Sequence, residues 1–192
     1  MAELAVPLIH DADRFIVWET GQKERYEFVG GVVRLMAGGS ANHDLISINV
    51  AAELRDRLQG SGCRVHGSNL KVRSPAGAVM YPDCFVRCGA HDPRVQVVDD
   101  PVIVVEVLSP STDEYDLTRK RWAYQAIATL HTILFVDTEK ARIEQATREP
   151  DGSWRSVVHE GLDTAMTIAD LPRPLGLDEV YAEAQLDEAG GS

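Results

Sequence analysis

Glu106 stands inside the run Val102-Ile103-Val104-Val105-Glu106-Val107-Leu108. A short, continuous stretch of β-branched and apolar residues reads as a central strand buried on both faces. A carboxylate in such a strand is costly unless a counter-charge or a metal satisfies it. An ion pair with a nearby Lys or Arg, or a strand end leaving the core, would serve as well. Asp83 tips the balance toward chemistry. Pro82-Asp83 opens the strand before the Glu106 strand, and pairing those two as a hairpin brings the carboxylates together. Two carboxylates at that range repel, and a hard divalent cation with oxygen ligands resolves the conflict. Mg2+ (or Mn2+) takes one or two carboxylates and keeps several waters for its substrate, which suits phosphate chemistry. A third group lies in the following helix, where Asp116, Lys120 and Tyr124 recur at i, i+4 and i+8 and share one face. Arg119-Lys120-Arg121 is the densest basic cluster of the chain. Alone it reads as a solvated helix with an internal Asp-to-Lys pair. A helix directly after the Glu106 strand packs back over the sheet, however, and lets Lys120 reach the carboxylates.

The elements that must position these groups follow from the apolar pattern. Residues 1–20 form an N-terminal arm with a short helix, capped by Asp11 or Asp13 and carrying Phe15, Ile16 and Trp18 on its apolar face. Two β-type runs flank Gly30-Gly31, a hairpin signal. Asn42 caps a helix from His43 to Leu58. Its apolar positions are Leu45, Ile48, Ala52, Leu54 and Leu58, and Arg55, Asp56 and Arg57 face water. Strands are expected over Cys63–Val72, Val79–Cys88 and Val102–Leu108. Ser109-Pro110-Ser111-Thr112-Asp113 breaks the last and offers N-caps to a helix over 116–128. Thr132 to Val136 is a further strand. Residues 143–158 form a hairpin around Asp151-Gly152, 178–186 a closing helix and 187–192 a frayed tail. The order predicts one α/β domain over 1–192, a mixed sheet flanked by helices with hairpins at both ends.

Composition narrows the function. The 192 residues include 19 basic and 30 acidic ones, a formal net charge of −11. That disfavours sequence-blind adhesion to nucleic acid, which needs a basic surface. It leaves room for a local basic site or one whose acidity a bound metal relieves. No membrane span or secretory leader is expected. Cys63, Cys84 and Cys88 form no CxxC pair and read as three thiols in a reducing cytoplasm. Trp18, Trp122 and Trp154 read as packing residues, and the remaining histidines besides His43 show no ligand spacing.

Pro82-Asp83, Val104-Val105-Glu106-Val107-Leu108-Ser109-Pro110-Ser111-Thr112, Asp116 with Lys120 and Tyr124, and Val136-Asp137 together resemble the Uma-type restriction endonuclease family, within the PD-(D/E)XK nuclease superfamily. Tyr26-Glu27 before Gly30-Gly31, and His43 opening the first long helix, also match its pattern. The resemblance spans about Phe15 to Tyr181. It implies a restriction-endonuclease-like core and a divalent metal on Asp83 and Glu106, with the Val107 carbonyl as third oxygen. The superfamily lysine would stand at Leu108, and the family pattern moves it to Lys120. Ala126 to Thr132 departs from the family by lacking its glycine and aromatic residues. Glu27 is either a third acidic ligand, an outer hydrogen-bond acceptor or an exposed strand residue. His43 contacts a phosphate, orients Glu27 or merely caps its helix.

The function expected is metal-dependent hydrolysis of DNA phosphodiester bonds, with Asp83, Glu106 and Val107 on the metal and Lys120, Glu27 and His43 in catalysis. The alternative is a noncatalytic nucleic-acid-binding or regulatory module on the same fold. A homodimer would suit cleavage of both strands. Helix propensity alone predicts that Lys120→Ala leaves the fold intact.

Overall fold

A computed structural model describes residues 9–36, 38–109 and 114–187, and of Tyr115 and Asp116 only the backbone. The caps between Pro110 and Asp113, the Asp116 side chain, residues 1–8 of the arm and the tail from 188 lie outside the described residues. In chain order the elements are α1 (Ala12–Thr20), β1 (Tyr26–Val29), β2 (Val32–Leu35), α2 (Ala41–Arg57), β3 (Cys63–Gly67), β4 (Lys71–Arg73), β5 (Val79–Met80), β6 (Cys84–Cys88), β7 (Val97–Val98), β8 (Ile103–Leu108), α3 (Glu114–Gln125), β9 (Thr132–Asp137), β10 (Arg142–Arg148), β11 (Trp154–Glu160), β12 (Ala165–Met166), β13 (Leu175–Gly176) and α4 (Leu177–Val180).

A six-stranded sheet, ordered β11-β10-β9-β8-β6-β3, carries the centre of the molecule. Its β8 and β9 are parallel and joined by α3, because parallel neighbours need a crossover. A five-stranded sheet, β2-β1-β5-β4-β7, packs over one face, and β12 pairs with β13 beside the other. The architecture is thus mixed α/β with helices flanking mixed sheets, as the pattern predicts. Alternation along β8 divides the core. Ile103, Val105 and Val107 join Ile46, Val50 and Leu54 of α2 and the C-terminal Leu175 and Leu177. Val104 joins Ala123, Tyr124 and Ile127, with Val72 and Met80 of the second sheet. Burial on both faces explains the unbroken apolar run and aims Glu106 at α3.

Both hairpins form. Gly30 and Gly31 have φ of 57° and 80°, the left-handed pair that a two-residue turn requires. Asp11 caps α1, its side chain accepting from the Arg14 N–H at 2.8 Å, and Phe15 is buried.

Several expectations are corrected. The run Cys63–Val72 divides into β3 and β4, and Val79–Cys88 into β5 and β6, with the halves in different sheets. The second break falls at Tyr81-Pro82-Asp83, where Pro82 has no N–H for a ladder. Ser40, not Asn42, caps α2, accepting from the His43 N–H at 3.2 Å. Asn42 instead donates to the carbonyls of Thr138 and Gln185. The buried stripe of α2 is Ile46, Val50, Leu54 and Arg57, while Ile48 is 57% exposed. Arg57 does not face water: its guanidinium is held by Glu53, Glu179 and the Pro174 carbonyl.

The closing helix stops at Val180. Asn49 takes the carbonyls of Val180 and Ala182 that a longer helix would use, and Glu183 turns to φ 62°. Cys63 and Cys88 form a disulfide, because the antiparallel β3–β6 register sets them directly opposite, and only Cys84 stays a buried thiol. Trp122 is 63% exposed, so it is not a packing residue.

Candidate active site

The register Cys84↔Val105 on the antiparallel pair β6–β8, carried one residue further, sets Asp83 opposite Glu106. The Asp83 Oδ2 accepts from the Val107 N–H at 2.7 Å, so this carboxylate caps the edge of β8 where β6 has not yet begun. Its Oδ1 lies 3.4 Å from His43 Nε2. His43 comes from the first turn of α2, and its imidazole rests against Gly39, where a Cβ would sit 2.7 Å from Nδ1. The hydrogen bond to Asp83 raises the His43 pKa above 6.5, burial opposes it, and the Val107 carbonyl adds to the rise.

Glu106 is 6% exposed and meets α3. Its Oε1 accepts from the Tyr124 O–H at 2.5 Å, and Lys120 Nζ lies 3.4 Å from each of its oxygens. The same ammonium is 2.9 Å from Glu27 Oε2 on β1. The other Glu27 oxygen accepts from the Tyr81 N–H at 2.8 Å. One helix face thus delivers a lysine and a tyrosine, one turn apart, to the single carboxylate of the central strand.

Two carboxylates, Glu27 and Glu106, therefore contact one ammonium, and a third, Asp83, stands opposite Glu106. Burial pushes the Glu106 carboxyl up to about 7 despite Lys120, with Asp83 and Glu27 adding to the rise. Burial works against the Lys120 charge, but Glu106, Glu27 and Asp83 outweigh it and raise its pKa. Burial thus raises the Glu106 carboxyl and opposes the Lys120 charge, while the neighbouring carboxylates raise both.

The family model described as "Putative restriction endonuclease", Uma2, matches residues 12–178. The chain belongs to the Uma2 family. An uncharacterized protein of Synechocystis is 30% identical over 172 residues, covering 88% of this chain and 90% of that protein. A second Synechocystis protein, also uncharacterized, is 26% identical over 160 residues, 80% of this chain and 89% of that one. The crystal structure of a "putative nuclease belonging to DUF820" from Anabaena variabilis superposes with a TM-score of 0.75 at 12% identity, over 90% of this chain and 98% of that one. Family and fold are of nuclease type. Among the described residues, no helix is long and apolar enough to cross a membrane.

In this Uma2 chain the structure brings Glu27, His43, Asp83, Glu106, Val107 and Lys120 into one connected cluster. Glu27 is buried, not an exposed strand residue. His43 turns to Asp83 and not to Glu27. Tyr124 was legible as a neighbour of Lys120, but its bond to Glu106 was not. Tyr81 precedes the recognisable Pro82-Asp83 pair, yet nothing in the sequence assigns it a contact with Glu27.

Proposed function

We propose that the protein is a divalent-metal-dependent endonuclease that hydrolyses DNA phosphodiester bonds. The observation supporting this most directly is the convergence of Glu106 and Glu27 on Lys120, an ammonium supplied by α3 and not by β8 itself, with Asp83 set opposite Glu106 and bonded to the Val107 N–H. Asp83, Glu106 and the Val107 carbonyl would hold Mg2+ or Mn2+. Among the described residues no group of three or more His, Cys, Asp or Glu side chains is placed to hold a metal ion by side chains alone. The donor set fits a hard cation nonetheless: two carboxylates and a carbonyl, all oxygen, with charge in excess of the one ammonium. When bound, such a cation supplies Lewis-acid polarisation of a phosphoryl oxygen and acidifies water.

The chain's own groups do the rest. Glu27 fixes the Lys120 ammonium, and Lys120 stabilises negative charge developing on the phosphoryl oxygens. The Tyr124 O–H holds the Glu106 carboxylate in one orientation, and His43 does the same for Asp83. A two-fold dimer would bring one such pocket to each strand of a duplex.

Incubation of supercoiled plasmid with the wild type, Asp83→Asn and Lys120→Ala, with Mg2+ and with EDTA, tests this. Nicking by the wild type alone, and only with metal, is the expected result. Metal binding without cleavage of plasmid, single-stranded DNA or RNA would overturn catalysis and favour a noncatalytic nucleic-acid-binding module.

A further inference from the structure

A second buried ionic cluster lies behind Glu27, and the proposed chemistry does not use it. Glu19 of α1, Lys71 of β4 and Tyr81 are each under a tenth exposed. Both Glu19 oxygens are engaged: Oε1 accepts from the Tyr81 O–H at 2.8 Å, and Oε2 lies 3.0 Å from Lys71 Nζ. The Lys71 ammonium also lies 5.6 Å from the Tyr81 ring centroid, with the Arg25 guanidinium at 6.0 Å. Lys and Glu are rarely buried, and apolar replacements of such pairs are often neutral or stabilising. Packing alone does not account for the cluster.

Its position does. Residues 81–83 belong to no strand: β5 ends at Met80 and β6 begins at Cys84. The corner is held by side chains instead. The Tyr81 N–H donates to Glu27, the Tyr81 O–H to Glu19, and Asp83 accepts from the Val107 N–H. Pro82, with its fixed φ, is a stiff link between Tyr81 and Asp83. Helix α1 is itself anchored, Phe15 stacking on Phe28 at 5.5 Å beside Val79.

We propose that Glu19 and Tyr81 are positioning residues for Asp83, so that the N-terminal helix and β4 set the geometry of the carboxylate on which the proposed metal site depends. The inference rests on the proposed function for its consequence in metal binding, but not for its geometry. Preorganisation by a supporting shell is what such a site needs to hold its ligands within tenths of an ångström.

Tyr81→Phe removes one hydroxyl and keeps the ring that both cations approach. Amide hydrogen exchange at Val107, whose N–H bonds to Asp83, reads the corner without any metal. Val107 exchange should quicken about tenfold relative to the other β8 amides, as expected from losing one hydrogen bond. Calorimetric Mn2+ affinity should fall several-fold, about as much as such a bond is worth. Glu19→Gln, which keeps an acceptor for the hydroxyl, should move the Val107 ratio less. A Val107 rate that rises only in step with the rest of β8, or not at all, would overturn the proposal by making the cluster merely structural. A selective Val107 response to Tyr81→Phe, when the wild type itself binds no Mn2+, would uphold the clamp and sink the proposed function instead.

Discussion

Glu106→Gln should make the metal-free protein more stable at neutral pH and flatten its stability against pH. The carboxyl rises from 4.5 to about 7 in the folded state, chiefly through burial. At 1.36 kcal/mol for each pH unit, ionising it costs the fold about 3 kcal/mol. The sign follows from proton counts. Between those two values the folded state holds the proton and the unfolded chain has released it, so stability falls as pH rises through the interval and is flat above it. His43 acts in the same direction but only above its ordinary 6.5, since its raised folded value protects a proton lost at higher pH. His66 and His159, whose pKa values burial lowers below 6.5, act in the opposite direction from pH 5 to 6.5. It is therefore the difference between wild type and Glu106→Gln, in which they cancel, that reads Glu106 over that interval. Gln preserves an acceptor for the Tyr124 O–H, and Lys120 keeps Glu27 as partner. For a chain of this length about 3 kcal/mol corresponds to about 6–12 °C in Tm. Thermal unfolding in EDTA at pH 5, 6, 7 and 8 reads the effect. Parallel slopes for wild type and Glu106→Gln between pH 5 and 6.5 would refute the placement of a strained carboxyl at this position.

Three further outcomes are expected. Saturating Mg2+ or Mn2+ should raise the wild-type Tm, a hundredfold excess over Kd contributing about 2.7 kcal/mol, and calorimetry should find no such response in Asp83→Asn. Lys120→Ala should cost about 3 kcal/mol in urea unfolding with EDTA, because it strands two carboxylates around a missing ammonium. With Mg2+ it should also cut plasmid cleavage about a hundredfold or more. Arg57→Met should cost about 1–3 kcal/mol by removing the buried guanidinium that bonds Glu53, Glu179 and the Pro174 carbonyl, Arg173 still reaching both carboxylates, while its metal-induced Tm shift stays that of the wild type.

The Lys120 outcome departs from what helix propensity suggests, and the difference shows where the sequence stops. The strand of Glu106, its pairing with the strand after Asp83, the two hairpins and the shared face of Lys120 and Tyr124 were legible, because each is a local pattern of period two or period 3.6. That Lys120 is buried was not, since its charge interrupts the inward face that Leu117, Ala123 and Tyr124 supply and is satisfied, like that of Arg121, by Glu106, Glu27 and Glu144 on strands distant in sequence. The stripe of α2 was misjudged for a related reason. Leu45 and Ile48 compete with Ile46 and Val50 as apolar positions, and the choice is made by Arg57 and Asn49 reaching the C-terminal segment. The disulfide was hidden because Cys63 and Cys88 meet only through a register set by the β3–β6 ladder. The Glu19–Lys71–Tyr81 cluster joins α1, β4 and the corner between β5 and β6, which no spacing connects.

Crystals of the wild type soaked in Mn2+ offer the most direct measurement. An anomalous difference peak against Asp83, Glu106 and the Val107 carbonyl, absent in crystals of Asp83→Asn treated alike, is the predicted result. Crystals that diffract well, hold Mn2+ in the soak and show no peak at these three oxygens would contradict the metal site and the hydrolysis built on it.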